Sequence, residues 1–213
     1  MLYIFDWDGT LSNSIPKIVA SVQQSAAQMK LPEKSYQEAQ QVIGLGLRIA
    51  LKTRYPDLNK TELDEFVACY SETYLRLDKD VPSPFYQNVL ETLRSLRDQG
   101  HHLAVATGKS RKGLDRVLMQ HDVNNLFVST RCADESGSKP DPAMLLEILR
   151  EREERAEQAV MIGDTEFDME MAHAISMPRI AVSYGAHGID RLRCWQPLAC
   201  LDDFAELCDV AIA

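Results

Sequence analysis

The chain has 213 residues, 45% hydrophobic and 26% charged, which supplies a buried core and excludes a disordered polymer. Its 23 basic and 32 acidic residues leave a formal charge of −9, which argues against nucleic acid or an anionic membrane as a partner. No apolar run reaches the roughly 18 residues of a membrane span, and Met1-Leu2-Tyr3-Ile4-Phe5 lacks the basic start of a secretion signal. The five cysteines are an odd number without a Cys-x-x-Cys pair, so reduced thiols in a cytoplasmic protein are expected.

Residues 2–5 are a short apolar run that stops at Asp6-Trp7-Asp8-Gly9-Thr10, the pattern of a buried parallel strand entering a loop. The period then changes. Ile15, Ile18, Val19, Val22, Ala26 and Met29 follow helical spacing behind Ser14, a candidate N-cap. Polar helical stretches over 35–54 and 61–77 complete a helical block without strand character, and the proline-rich stretch Val81-Pro82-Ser83-Pro84 closes it.

Beyond the linker, a helix from Phe85 to the stop at Gly100 is followed by alternating strands and helices. Strands are expected at Leu103–Ala106, Leu126–Ser129, Ala159–Ile162 and Ile180–Val182. Helices are expected after Ser110, after Asp141-Pro142, and around Phe167, Met171 and Ile175. Such alternation predicts an α/β fold with a mostly parallel sheet and right-handed crossovers, interrupted after its first strand by the helical block.

Ligands of an open parallel sheet bind outside the carboxyl ends of its strands. Three predicted strand ends carry polar groups there: Asp6 and Asp8, Thr107, and Asp164. Lys139 lies in the loop between the last two, so these groups converge on one rim. Carboxylates crowded together repel unless a cation sits among them, and an all-oxygen set suits Mg²⁺.

This order of residues resembles the haloacid dehalogenase superfamily of phosphotransferases. The resemblance is carried by Asp6-Trp7-Asp8-Gly9-Thr10-Leu11, Thr107, Lys139 and Gly163-Asp164-Thr165-Glu166-Phe167-Asp168, and spans nearly the whole chain. Ala106-Thr107-Gly108-Lys109-Ser110-Arg111 and Val182-Ser183-Tyr184-Gly185 resemble the phosphoglycolate phosphatase group within it. The resemblance implies a Rossmann-like core, residues 1–13 and 82–213, with helices on both faces, and an all-helical cap over 14–81. It implies Asp6 as nucleophile, forming an aspartyl-phosphate, and Asp8 as general acid and then base. It further implies Mg²⁺ on Asp6, the Asp8 carbonyl and Asp164, with Asp168 orienting that shell or Lys139. Thr107 and Gly108 would bind phosphoryl oxygens, Lys139 would neutralise charge, and Trp7, Lys109 and Arg48 would contact the substrate, Arg48 through a carboxylate.

The expected partner is therefore a small phosphorylated metabolite, hydrolysed by a monomer or homodimer with no nucleic-acid or membrane partner. A sugar phosphomutase shares the core and cap type, and a non-catalytic regulatory protein could keep the fold. The intact Asp6 and Asp8 speak against the second alternative. Two positions depart from the family pattern: Ser176 and Gly108 stand where glycine and asparagine are common.

Overall fold

A computed structural model describes residues 1–212. Six parallel strands form one sheet: β1 (Leu2–Phe5), β2 (His102–Thr107), β3 (Ser129–Cys132), β4 (Ala159–Gly163), β5 (Arg179–Val182) and β6 (Cys200–Leu201). Their order is β3-β2-β1-β4-β5-β6. The chain therefore winds one way from β1 to β3 and resumes on the opposite side of β1 at β4, so the crevice between β1 and β4 is the topological switch point.

Alternation along β1 shows why its apolar run is continuous. Tyr3 and Phe5 enter one core with Leu103, Val105 and Leu114, whereas Leu2 and Ile4 enter another with Ala104, Met161 and Ile148. Helices α5 (Val89–Asp98) and α6 (Arg111–Gln120) cover the first face; α8 (Ala143–Arg152) and α9 (Glu166–His173) cover the second. Two short helices, α7 (Ala133–Ser136) and α10 (Ile189–Arg193), lie in connections.

Between β1 and β2 stand α1 (Ile15–Gln28), α2 (Tyr36–Gln40), α3 (Leu47–Arg54) and α4 (Lys60–Asp80). They share a core of their own, in which Ile15, Val19, Val22 and Ala26 of α1 meet Leu51, Leu63 and Phe66. Asn59 and Ser35 start α4 and α2 with capping boxes, each reciprocated by a glutamate three residues on. Among the described residues, no helix is long and apolar enough to cross a membrane.

Several expectations need correction. The stretch 35–54 is two helices, because the chain turns at Gly44 with φ +100°. The helix expected from Phe85 begins at Val89; Asn88 adopts a left-handed conformation, and Phe85 packs on Trp7. The third strand is Ser129–Cys132, while Leu126 reaches the core from a 3₁₀ turn. An edge strand needs little apolar sequence, so hydrophobicity pointed three residues too early.

Ser176 has φ +56° just after α9. A side chain in this region costs about 1 kcal/mol. Ser176→Gly is accordingly expected to raise unfolding stability by up to about 1 kcal/mol, less the greater freedom of glycine in the unfolded chain. A urea titration checks it, and a lower midpoint with an unchanged slope would contradict the reading.

Candidate active site

Register brings the acidic groups together. Phe5 pairs with Ile162, and the Asp6 amide donates to the Ile162 carbonyl at 2.9 Å, so the ends of β1 and β4 emerge side by side. Oxygens of Asp6, Asp164 and Asp168 all lie within 4.8 Å of one another, and all three residues are buried. The turn after β1 tightens this contact: Gly9 has φ +92°, and a side chain there would run into Asp164.

Lys139 is buried in the same cluster. Its ammonium donates to Asp6 Oδ1 at 2.5 Å and to Asp168 Oδ1 at 2.6 Å. The other Asp168 oxygen accepts from the amide and hydroxyl of Thr165, at 3.1 and 2.7 Å, completing the capping box of α9. Asp168 is thereby fixed at both ends, and it fixes Lys139. Asp164 accepts from the Thr10 hydroxyl at 2.8 Å and the Ala186 amide at 2.7 Å. Asp6 differs in one respect: Oδ2 is buried and has no hydrogen-bond partner among the described residues.

The electrostatics express this crowding. Burial, opposed by Lys139 and reinforced by Asp168 and Asp164, holds the Asp6 carboxyl well above the usual carboxylate range. Burial and then Asp168 push Asp164 up to about 7, against its two hydrogen bonds. Burial alone would lower the Lys139 ammonium, but Asp168 and Asp6 outweigh it and hold it above an ordinary lysine. One buried ammonium against three carboxylates leaves negative charge over. This donor set fits a hard divalent cation held by Asp6 and Asp164.

A stability prediction follows from the raised carboxyls. A group whose folded pKa is raised contributes stability at low pH that is lost as pH rises through that value. Without divalent cation, the unfolding free energy is expected to fall between about pH 4 and pH 7 from Asp164 alone, with Asp6 adding to the loss. Saturating Mg²⁺ is expected to raise the thermal midpoint at pH 7.5, with about 2.7 kcal/mol gained at a hundredfold excess over Kd. Thermal scans with EDTA and with Mg²⁺ check both; an unchanged midpoint would contradict a cation site.

Asp8 lies beside this cluster under different control. Both its oxygens accept from Lys109 Nζ, at 2.7 and 2.8 Å, and Oδ1 also accepts from the Ser14 hydroxyl at 2.6 Å. Ser14 is the N-cap of α1 by position, yet its hydroxyl serves Asp8 rather than a helix amide. Burial would lower the Lys109 ammonium, but Asp8 more than compensates and holds it high.

A cavity of about 300 Å³ stands over Asp6 and Asp8. Thr107, Gly108 and Lys109 line it from the sheet side; Val22, Ile43, Leu51 and Tyr74 line it from the helical block. The connection between α2 and α3 is seated on the sheet-side loops. The Gly46 amide donates to Ser138 Oγ at 2.7 Å, and Gln40 Nε2 donates to the Ala186 carbonyl at 2.8 Å. His187 bridges the two sides: Nδ1 accepts from the Glu166 amide at 3.1 Å, so Nε2 carries the proton offered to the Gln41 carbonyl at 3.1 Å. At Gly108 a Cβ would lie 2.5 Å from the Gly44 carbonyl oxygen, which explains why asparagine is absent there.

Asp6, Asp8, Thr107, Gly108, Lys109, Lys139, Asp164 and Asp168 thus gather at one place. Two expected substrate contacts do not. The Trp7 side chain is buried in the sheet core against Phe85 and Phe127, leaving only its main chain near the site. Arg48 is exposed, pairs with Asp64 and does not line the cavity. Arg54 of α3 and Arg116 of α6 line it instead. Sequence reasoning missed these, along with Thr10 and Ser14; only Thr10 carried a signal, as a polar neighbour of the first acidic motif.

The family model for haloacid dehalogenase-like hydrolases matches residues 3–182. The chain belongs to that family. A phosphoglycolate phosphatase of Aliivibrio fischeri is 30% identical to this haloacid dehalogenase-like hydrolase over 217 aligned positions, covering 97% of the chain and 94% of the relative. A crystal structure from Haemophilus somnus, described as a predicted phosphoglycolate phosphatase, superposes with a TM-score of 0.85 at 27% identity, over 98% and 96% of the two chains. A provisional beta-phosphoglucomutase of Bacteroides vulgatus shares the fold of this hydrolase at 20% identity, with a TM-score of 0.81 over 97% and 85%.

Proposed function

We propose that the chain is a Mg²⁺-dependent phosphatase of small phosphate monoesters, acting through an aspartyl-phosphate on Asp6. The observation that carries this reading is the asymmetry of Asp6. One oxygen is anchored by Lys139 and the other is buried without a partner beside the cavity that Asp6 lines. A nucleophile needs this arrangement: fixed orientation with one oxygen available for in-line attack.

In the first displacement a carboxylate oxygen of Asp6 bonds to phosphorus as the bond to the ester oxygen breaks, and Asp8 gives that oxygen a proton. In the second, Asp8 takes a proton from water, whose oxygen bonds to phosphorus while the Asp6–phosphorus bond breaks. Proton delivery by such a group is worth about 10²–10⁴ in rate when the leaving group is an alkoxide. The ion pair to Lys109 bears on this step, because an entering phosphoryl anion competes with Asp8 for the same ammonium. The Thr107 hydroxyl, which accepts from the Lys109 amide at 3.2 Å, keeps its own proton free for a phosphoryl oxygen. Lys139 holds charge opposite the nucleophile throughout. Mg²⁺ would be held by Asp6, Asp164 and the Asp8 carbonyl, and would supply charge neutralisation for the incoming phosphoryl group.

Residues 14–81 serve in this reading as a cap over a core of 1–13 and 82–213, limiting substrates to small molecules. Phosphate release from a panel of esters, with Mg²⁺ and with EDTA, tests the proposal. Mg²⁺-dependent release from several esters is expected. No release from any ester would overturn it, and isomerisation without net release would identify a mutase.

A further inference from the structure

The cavity offers little to a two-carbon acid. Phosphoglycolate carries its carboxylate one methylene from the ester oxygen, so that group would remain next to Asp6 and Asp8. The ammonium there, Lys109, is already contested between Asp8 and the phosphoryl group and is not free for a second anion. Arg48, the expected carboxylate partner, is turned to solvent on Asp64. Most of the wall contributed by the helical block is apolar: Ile18, Val22, Val42, Ile43, Leu47 and Leu51.

Positive charge is instead placed farther out, on Arg54 of α3 and, more densely, on the α6 side. Lys109, just before the N-cap of α6, and Lys112 and Arg116, one turn apart on α6, line the cavity together. The Tyr74 ring organises this wall. Lys109 Nζ lies 5.2 Å from its centroid, the Arg116 guanidinium carbon 5.3 Å and Lys17 Nζ 5.7 Å. Among the described residues, two carboxylates stand against these three cations, Asp8 on Lys109 and Asp78 on Lys17 and Arg116. One positive charge is left over, before Lys112 is added. It falls on Arg116, whose approach to Asp78 is a loose 3.5 Å and whose Nε is buried with no hydrogen-bond partner among the described residues. A buried donor without a partner is costly, and a ligand acceptor would recover that cost.

The geometry points to a substrate whose phosphate and a second anionic group are separated by an apolar spacer longer than one methylene, with the second anion read by Arg116. The spacer lies along the apolar wall, and the far anion reaches across Tyr74 from Lys109. This inference rests on the phosphatase reading and narrows its substrate class to phosphomonoesters of multi-carbon hydroxy acids.

The test is a series of ω-carboxyalkyl phosphates with one to five methylenes, phosphoglycolate being the shortest, beside n-alkyl phosphates of equal length. Wild-type kcat/KM is expected to rise about fourfold per added methylene until the span to Arg116 is reached. Arg116→Gln is expected to lower kcat/KM about 10- to 100-fold for the preferred carboxyalkyl ester while leaving n-alkyl esters within about twofold. Arg48→Gln is expected to leave both series unchanged. Phosphoglycolate as the best substrate, equal losses in both series with Arg116→Gln, or a loss confined to Arg48→Gln would each overturn the inference while leaving the phosphatase reading standing. Absence of release from every ester would instead remove the reading on which it rests.

Discussion

Asp6→Asn is expected to lower phosphate release by about 10⁴-fold or more while making the cation-free protein more stable. The two effects have one origin. The amide is nearly isosteric and can still accept from Lys139, but it cannot attack phosphorus. Burial and the neighbouring Asp168 and Asp164 carboxylates hold the Asp6 carboxyl well above its ordinary range, so its ionisation at neutral pH opposes folding. Removing that charge relieves the cost. The expected result is a higher thermal midpoint in EDTA, a smaller gain on adding Mg²⁺, and negligible turnover. Retained turnover would remove Asp6 from the role of nucleophile. A lower midpoint in EDTA would show that its charge is matched by Lys139 and not in excess.

Asp8→Ala is expected to separate substrates by leaving group. Alkyl phosphates need a proton on the departing oxygen, and their rate should fall about 10²–10⁴-fold. An aryl ester with an acidic phenol should lose much less in the first displacement. Because Asp8 also activates water, the aryl ester should release its phenol in a burst, followed by slow phosphate. The substitution strands Lys109, which loses its ion pair on a buried side chain, so some loss of stability is expected as well. Urea titration measures that loss separately. Equal slowing of alkyl and aryl esters, without a burst, would assign Asp8 to supporting Lys109 and Ser14 instead.

How much of this was legible in the sequence depended on where each residue stands relative to the sheet. Asp6, Thr107 and Asp164 follow apolar runs directly, so the strand pattern alone sends them to one rim, and Lys139 and Asp168 follow from the order of loops. The helical block was legible as helical, but its phase was not. Arg48 and Arg54 lie on one helix, α3, and their roles depend on how it turns beyond Gly44 and Gly46. The pair to Asp64 draws Arg48 away, a partner that only the packing of α3 on α4 reveals. Arg116 and Tyr74 were invisible for a similar reason: their meeting requires α4 to lie against the sheet-side helix α6. Ser14 was read as an N-cap, which its position satisfies, but the Asp8 carboxylate takes its hydroxyl. Local pattern thus located the groups that chemistry requires at strand ends, whereas groups that select a substrate depended on contacts between distant helices.

The central claim is that phosphate passes through Asp6 in two displacements. It is tested most directly by the stereochemical course at phosphorus. A phosphorothioate ester whose two non-bridging oxygens are different isotopes in defined configuration, hydrolysed with Mg²⁺ in water enriched in the third, yields inorganic thiophosphate that is chiral at phosphorus. Two successive in-line displacements predict retention of configuration. Inversion would mean that water attacks the ester directly, and Asp6 would then be a ligand or base and no longer the nucleophile.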